Sequence, residues 1–186
     1  DVCSSDLEEI VRLSSLFARN GVTKIRLTGG EPLIRKEIEE LSARLSTLDG
    51  INSLVITTNG LLLSRKLEAL KRAGVTGFNI SLDTLRADRF IEITRRKGLD
   101  TVLGAIADAS QAGYHPVKIN CVVINGFNDD ELVDFVEMTR EQPVDVRFIE
   151  YMPFDGNSWN NDKFMSYNDM TTTIKARYPR DRKSVA

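Results

Sequence analysis

Four cationic residues alternate with apolar residues in short segments that are typical of β-strands. They are Lys24, Arg26, Lys118 and Arg147. Residues two apart in a strand point to the same face, so the cations are expected on one face of a sheet. Basic side chains gathered away from bulk water need either carboxylates or an anionic ligand, and phosphate suits both Lys and Arg. The pattern therefore indicates a phosphate-binding face or, alternatively, a buried ion-pair network with acids such as Asp83 and Glu150.

A second candidate site follows the first predicted strand directly. Its sequence is Thr28-Gly29-Gly30-Glu31-Pro32. Glycines let a ligand approach the backbone without meeting a Cβ atom, and the Glu31 carboxylate can accept hydrogen bonds from an ammonium group. The same residues also suit an ordinary turn into a helix, with Pro32 at the first helical position and Glu31 complementing the helix dipole. On this motif alone both interpretations stay open.

Helices and strands must alternate along the chain to position these residues. The pattern predicts helices over 7–20, 34–48, 62–73, 87–93, 101–112 and 129–140, and strands over 24–28, 54–58, 78–82, 117–124 and 144–151. This order predicts parallel βαβ units. Strands of a doubly wound sheet are apolar on both faces, whereas one face is repeatedly polar here. The predicted fold is therefore α/β, an incomplete (β/α) barrel with a polar interior.

Three further residues are given structural roles. Asp83 is predicted to cap the helix that follows it, and Asn128 to cap the helix over 129–140. Cys121 lies on the apolar face of a predicted strand, where a lone thiol is usually part of the core.

Composition narrows the class of protein. The 186 residues are 41% hydrophobic and 28% charged, which is ordinary for one globular domain. The 25 Lys and Arg against 27 Asp and Glu give a formal net charge of -2, which argues against a nucleic-acid partner. No apolar run is long enough to span a bilayer, so no membrane partner is predicted. Two cysteines, Cys3 and Cys121, exclude a disulfide-rich secreted scaffold and favour a reducing compartment.

Both ends of the chain can be read as translated sequencing-adapter DNA. We therefore predict that residues 1–6 and 181–186 are artefactual tails around a domain that spans 7–180. On this hypothesis Cys3 is not a metal ligand.

Six motifs together resemble a known enzyme family, in family order and spacing over residues 7–178. They are Lys24–Leu33, Thr57–Gly60, Asn79–Leu85, Pro116–Asn120, Asn125–Glu131 and Asp145–Pro153. They are similar to radical S-adenosylmethionine (SAM) enzymes, and specifically to the GTP 3',8-cyclase family, the protein A family of molybdenum cofactor biosynthesis. The resemblance implies a radical SAM barrel with five of its six strand-helix units present. It also implies a lyase that rearranges GTP to 3',8-cyclo-7,8-dihydro-GTP, with SAM and 4Fe-4S clusters as cofactors.

The resemblance carries site residues with it. It implies that SAM is bound by Gly29, Gly30, Glu31, Ser81 and Met152, and that GTP is bound by Lys24, Arg26, Thr57, Lys118 and Arg147. It assigns no catalytic side chain. The cluster cysteines of the family lie before Leu7 and in a C-terminal extension, so no metal ligand is predicted in this chain. The chain by itself is therefore predicted to be an inactive fragment.

Partners and location are also implied by the resemblance. GTP is the expected small-molecule partner, and a homodimer is one expected assembly. The bacterial cytoplasm and the mitochondrial matrix are both expected locations. The mitochondrial matrix is included because Phe154–Asn160 is more similar to the eukaryotic branch of the family. Three alternatives stay open: another radical SAM maturase that acts on a peptide, a phosphate-binding barrel enzyme without a cluster, and a non-catalytic degenerate barrel. A three-cysteine loop upstream would exclude the last two.

Overall fold

The computed structural model describes residues 6–152 and 161–179, in which helices and strands alternate. The helices are α1 Leu7–Arg19, α2 Ile38–Ser46, α3 Leu63–Arg72, α4 Ala87–Thr94, α5 Leu99–Gln111, α6 Leu132–Glu141 and α7 Tyr167–Arg177. The strands are β1 Lys24–Leu27, β2 Ser53–Thr58, β3 Gly77–Ser81, β4 Val117–Val123 and β5 Val144–Glu150. These bounds agree with the predicted elements to within a few residues. Two predicted helices differ at their starts, where separate 3-10 turns form at Pro32–Ile34 and Asp129–Glu131.

The five strands form one sheet in chain order, β1-β2-β3-β4-β5. β1 pairs parallel with β2, so that Leu27 lies opposite Ile56. β2 pairs parallel with β3, so that Thr57 lies opposite Asn79. A doubly wound sheet would reverse its strand order at a switch point. Simple chain order therefore fits the predicted α/β class and the incomplete barrel.

The chain divides into two compact units. The first runs to Ser81 and includes Thr101–Val117, and the second comprises Leu82–Asp100 and the described residues from Lys118 onward. Each unit has buried apolar residues of its own.

The core of the first unit lies on one face of β2 and β3. Leu54, Ile56 and Ile80 alternate along these strands with residues of the other face and are at most 1% exposed. The ring of Phe78 meets Tyr114 edge to face, with 4.8 Å between centroids. On the other face Val55 and Asn79 are also buried, at 8% and 1% exposed, so the middle of these two strands is covered on both faces. The predicted burial of apolar positions is therefore confirmed for β2 and β3.

The second unit shows the same alternation in β4. Ile119, Cys121 and Val123 are buried, whereas the residues between them are only half-buried. In β5, Phe148 is half-buried and its ring lies edge to face against Phe135 of α6, with centroids 6.0 Å apart. The predicted alternation is therefore confirmed for β4, whereas in β5 Phe148, which was expected to be buried, is only half-buried.

Local signals account for where several helices begin and end. Asp6 accepts a hydrogen bond from the Glu8 amide at the start of α1. Ser166 and Asp169 form a reciprocal capping box at the start of α7. Gly74 follows α3 with φ +81°, where a Cβ atom would lie 2.5 Å from Ser46 Oγ. None of the helices in residues 6–152 and 161–179 combines the length and apolar character needed to cross a bilayer.

The opposite faces of β2 predict different costs for two adjacent substitutions. Ile56→Ala should lower the free energy of unfolding by about 2–5 kcal/mol, because Ile56 is fully buried in the core. Thr57→Ala should cost about 1 kcal/mol or less, because its hydroxyl makes no hydrogen bond that would be lost. Urea titration of each variant measures both values. Equal costs would contradict the assigned faces.

Candidate functional site

The loop after β1 is open around both of its glycines. Gly29 has φ +131°, a backbone conformation that residues with a side chain rarely adopt. A Cβ atom built on Gly29 or on Gly30 would meet no other heavy atom within 4 Å. Gly30 does not have a positive φ, so its lack of a side chain is not required by backbone conformation. The open space beside these residues fits the close approach of a ligand to the backbone.

The Glu31 carboxylate connects this loop to the end of β2. One oxygen, Oε1, accepts hydrogen bonds from the Leu33 amide at 3.1 Å and from Thr58 Oγ1 at 2.7 Å. The other, Oε2, accepts from the Asn59 amide at 2.7 Å. Sequence reasoning expected a contact to a ligand ammonium or to the helix dipole. The bonds to Thr58 and Asn59 were missed, because they join residues 27 and 28 positions apart.

One face of the first unit carries most of its predicted ligand contacts. Residues opposite one another in parallel strands share a face, and every second residue along a strand returns to it. The pairing of β1 with β2 and of β2 with β3 therefore defines a polar face, whose polar members include Lys24, Arg26, Thr57, Asn79 and Ser81. The structure thus brings three predicted GTP contacts and the predicted SAM contact Ser81 to one face.

Two buried donors on the polar face lack hydrogen-bond partners. Asn79 is 1% exposed, and its Nδ2 has no partner. Thr57 lies opposite it, and its Oγ1 is likewise buried and unpaired. Buried polar groups are nearly always satisfied, so such a pair is typical of a surface that is completed by a ligand or by water. Asn79 was expected on the polar face but not as a ligand contact, because its burial is not visible in the sequence.

The cations of this face are not neutralised by neighbouring acids. Lys24 and Arg26 are exposed, and no described carboxylate of their own unit lies within ion-pair distance. In the second unit, Arg147 is exposed and makes no ion pair with the described acids of that unit. For Lys24, Arg26 and Arg147, the alternative of an ion-pair network with described acids of their own unit therefore finds no support.

The remaining predicted contacts lie in the second unit. Lys118 is half-buried in β4, Arg147 is exposed in β5, and Met152 is 60% exposed just after β5. Their convergence with the polar face of the first unit stays a prediction. Part of the last motif of the resemblance, residues 153–160, lies outside the described residues, as does Cys3.

Neither predicted cap in the second unit is made by its side chain, although Asn128 does stand at the N-cap position of the 3-10 turn Asp129–Glu131. The Asp83 carboxylate caps no helix; its Oδ1 accepts a hydrogen bond from the Val122 amide of β4 at 2.8 Å. Asn128 makes no side-chain cap either. Its carboxamide accepts from the Ile124 amide and donates to the carbonyls of Asp83 and Val122. Partners on a neighbouring strand outcompete the local cap in both cases.

A buried carboxylate that the sequence analysis did not single out reinforces this region. Glu131 is 0% exposed and accepts hydrogen bonds from Thr84 Oγ1 at 2.8 Å, from the Leu85 amide at 2.6 Å and from Arg89 Nη1 at 2.7 Å. The sequence analysis placed Glu131 in the predicted helix over 129–140 and gave its side chain no role. The loop after β3 is therefore fastened to the turn after β4 by a carboxylate, as Glu31 fastens the loop after β1 to β2.

The described residues do not fit an iron-sulfur cluster. A cluster needs several thiolates together, and the cysteine they include, Cys121, is 1% exposed. Burial, with a further contribution from Asp83, raises the pKa of the Cys121 thiol far above its ordinary value. Within residues 6–152 and 161–179 no group of three His, Cys, Asp or Glu side chains is placed to hold a metal ion.

Comparison with protein families decides the class of this chain. The profile described as the Radical SAM superfamily matches residues 4–139. The chain belongs to the radical SAM superfamily.

Curated relatives of this radical SAM chain are similar over nearly all of it. A mitochondrial GTP 3',8-cyclase from Arabidopsis thaliana is 54% identical over 171 residues, which cover 92% of the chain and 44% of the relative. Molybdenum cofactor biosynthesis protein 1 from Dictyostelium discoideum is also 54% identical, over 95% of the chain and 28% of the relative. A GTP 3',8-cyclase from Alkaliphilus metalliredigens is 46% identical, over 93% of the chain and 54% of the relative. The chain thus spans about half or less of the length of these relatives.

A solved structure confirms the fold. Methylornithine synthase superposes with a TM-score of 0.71 at 18% sequence identity, covering 93% of this chain and 53% of that one. At this level of identity the likeness concerns the fold alone. The predicted α/β architecture, a partial (β/α) barrel of the radical SAM type, is therefore confirmed.

The buried Asp83 carboxylate predicts an unusual pH dependence of stability. Burial raises the pKa of Asp83, so the folded state favours the neutral acid. The stabilising contribution of the neutral acid is present at low pH and is lost as the pH rises through the raised pKa. Asp83→Asn keeps an oxygen that can accept from Val122 and removes the charge. It should therefore raise the free energy of unfolding at pH 7, and the gain should vanish toward pH 3.

Urea titrations at several pH values measure this effect. Asp145→Asn, at an exposed position of β5 in the same unit, is the matched control and should leave the pH profile unchanged. A less stable Asp83→Asn protein at pH 7 would show that the carboxylate is needed in its charged form.

Proposed function

We propose that this chain is the SAM- and GTP-binding part of a GTP 3',8-cyclase, a lyase of molybdenum cofactor biosynthesis. The observation that carries the proposal is the 46–54% identity to relatives bearing these names over more than nine-tenths of the chain. The open glycine loop and the unpaired donors and cations of the polar face support it, because both suit ligands of this class.

SAM would be held mainly at the ends of β1 and β3. Gly29 and Gly30 leave room for the methionyl group to approach the backbone. Ser81 is exposed at the end of β3, where its hydroxyl is available to the methionyl carboxylate or the ribose. Met152, exposed after β5, would lie against the adenine.

GTP would be held by the polar face and by the cations of the second unit. Its triphosphate offers the acceptor oxygens that Lys24, Arg26, Lys118 and Arg147 would bind by charge-assisted hydrogen bonds. We infer that the unpaired Thr57 hydroxyl contacts GTP, and that the buried Asn79 amide is a further donor to it. These residues would bind and orient the nucleotide and exclude water from it.

The 4Fe-4S clusters would be held elsewhere in the protein, since the described residues offer no suitable thiolate group. When bound, cluster and SAM together supply the radical chemistry, whereas this part of the protein supplies ligand binding and orientation. The proposed product is 3',8-cyclo-7,8-dihydro-GTP.

The proposed location follows one relative whose name is mitochondrial and another that comes from a bacterium. The protein would reside in the mitochondrial matrix of a eukaryote or in the cytoplasm of a bacterium. GTP would be its small-molecule partner, with no nucleic-acid or membrane partner, and a homodimer would be its assembly. Conversion of GTP by the full-length protein with reconstituted clusters tests the proposal as a whole; unchanged GTP in that assay would refute it.

Gly30→Ala tests the SAM site with little disturbance of the fold. The added methyl group has no other heavy atom within 4 Å, and Gly30 does not have a positive φ that would strain an alanine. The free energy of unfolding should therefore stay near that of the original protein. SAM binding by the full-length protein should weaken about tenfold or more, because the methyl group enters the space that the ligand needs. Calorimetric titration with SAM and with GTP measures both affinities. Undiminished SAM affinity would place the ligand elsewhere.

Arg26→Ala tests the triphosphate contact. Each lost charge-assisted contact costs about 1.5–3 kcal/mol, so GTP binding should weaken by about ten- to a hundredfold. The control is Arg72→Ala in the last turn of α3, an exposed cation away from the polar face, which should leave GTP affinity unchanged. An Arg26→Ala protein that binds GTP as tightly as the original would remove Arg26 from the site.

A further inference from the structure

We propose that Glu31 is a positioning residue, whose carboxylate holds the Gly29-Gly30 loop in the shape that receives SAM, instead of binding the ligand itself. This inference rests on the proposed function and assigns Glu31 a different task from the ammonium contact that the sequence suggested.

The glycine loop has little else to hold it in place. Gly29 and Gly30 are both exposed, and no neighbouring atom lies within 4 Å of the space that a side chain on either would occupy. Glycine also has the widest range of backbone conformations. The shape of the loop must therefore be set by what flanks it. On one side this is β1, and on the other it is Glu31 followed by the 3-10 turn Pro32–Ile34.

Glu31 is committed to protein donors. Its two oxygens together accept three hydrogen bonds, from the Leu33 amide, the Thr58 hydroxyl and the Asn59 amide, and two of these are only 2.7 Å long. Hydrogen bonds to a charged acceptor are among the stronger ones in proteins. A direct bond to a ligand ammonium would compete with these partners, so the geometry favours an indirect role.

The partner segment is itself well anchored. Thr58 is 2% exposed, and its hydroxyl also accepts a hydrogen bond from the Gly60 amide at 3.1 Å. A Cβ atom on Gly60 would lie 3.1 Å from Val102 and 3.2 Å from Ile80, so the turn after β2 is tightly packed. The hydrogen bonds of Glu31 thus connect the exposed glycine loop to the tightly packed turn after β2.

Two substitutions separate positioning from direct contact. Thr58→Val removes the hydroxyl donor but leaves the carboxylate free to meet a ligand. Glu31→Gln keeps one acceptor oxygen and replaces the other with an amide that cannot accept from Asn59. On the positioning hypothesis both changes should weaken SAM binding by the full-length protein about tenfold, with GTP affinity changed less than about twofold. Thr58→Ser restores the hydroxyl and should restore SAM affinity.

Thr84→Val is the matched control. Thr84 is also a buried threonine whose hydroxyl donates to a glutamate, Glu131, but it belongs to the second unit. It should lower the free energy of unfolding without a selective loss of SAM affinity. Hydrogen exchange on the chain itself gives a readout that needs no cofactor: the Asn59 amide should exchange faster in Thr58→Val and Glu31→Gln, and not in Thr84→Val. If Thr58→Val does not fold, Thr58→Ala replaces it.

The outcomes are distinct. Loss of SAM affinity in Glu31→Gln alone would show that the carboxylate contacts the ligand, and would overturn the positioning role. Full affinity in both variants, despite faster exchange at Asn59, would also overturn it. Failure of the unsubstituted full-length protein to bind SAM would instead refute the proposed function.

Discussion

The alternation of side chains along paired parallel strands is the constraint on which the rest of this structure depends. In the first unit, pairing places Thr57 opposite Asn79, so one face collects their polar groups while Ile56 and Ile80 enter the core on the other. A shift of one residue in either strand would exchange the two sets. Burial of the apolar set therefore fixes the register, and the register fixes which side chains are available to a ligand.

The ends of the strands are held by a second device that recurs in both units. Glu31 in the first unit and Glu131 in the second each accept bonds from a buried threonine hydroxyl and from backbone amides. A carboxylate serves well here, because it offers several acceptor positions and can satisfy loop amides that no strand pairs. A loop with little side-chain packing, such as the glycine loop, can then still adopt a single conformation.

The sequence predicted those features that depend on residues close together in the chain. The alternation of faces along the strands was predicted, because periodicity is a local property. The carboxylate ties were not, because Glu31 and Glu131 find their partners 27 and 46 residues away. The same limit explains the error at Asp83: a polar residue before a helix predicts a cap, but Val122, 39 residues away, offers the better donor. The resemblance named the expected ligand contacts but not Asn79, whose burial only the fold reveals.

The chemistry of the polar face argues for an anionic ligand more strongly than the count of cations does. Lys24 and Arg26 present positive charge without a described carboxylate of their own unit in reach, and Thr57 and Asn79 beside them hold buried donors without acceptors. Such a surface offers more donors than acceptors, and its two buried donors cost free energy as long as they are unmatched. The formal net charge of the chain is -2, so the positive charge of this face is local and does not reflect a basic protein. A ligand rich in acceptor oxygens, such as a nucleoside triphosphate, would offer acceptors to the buried donors and to the cations of this face.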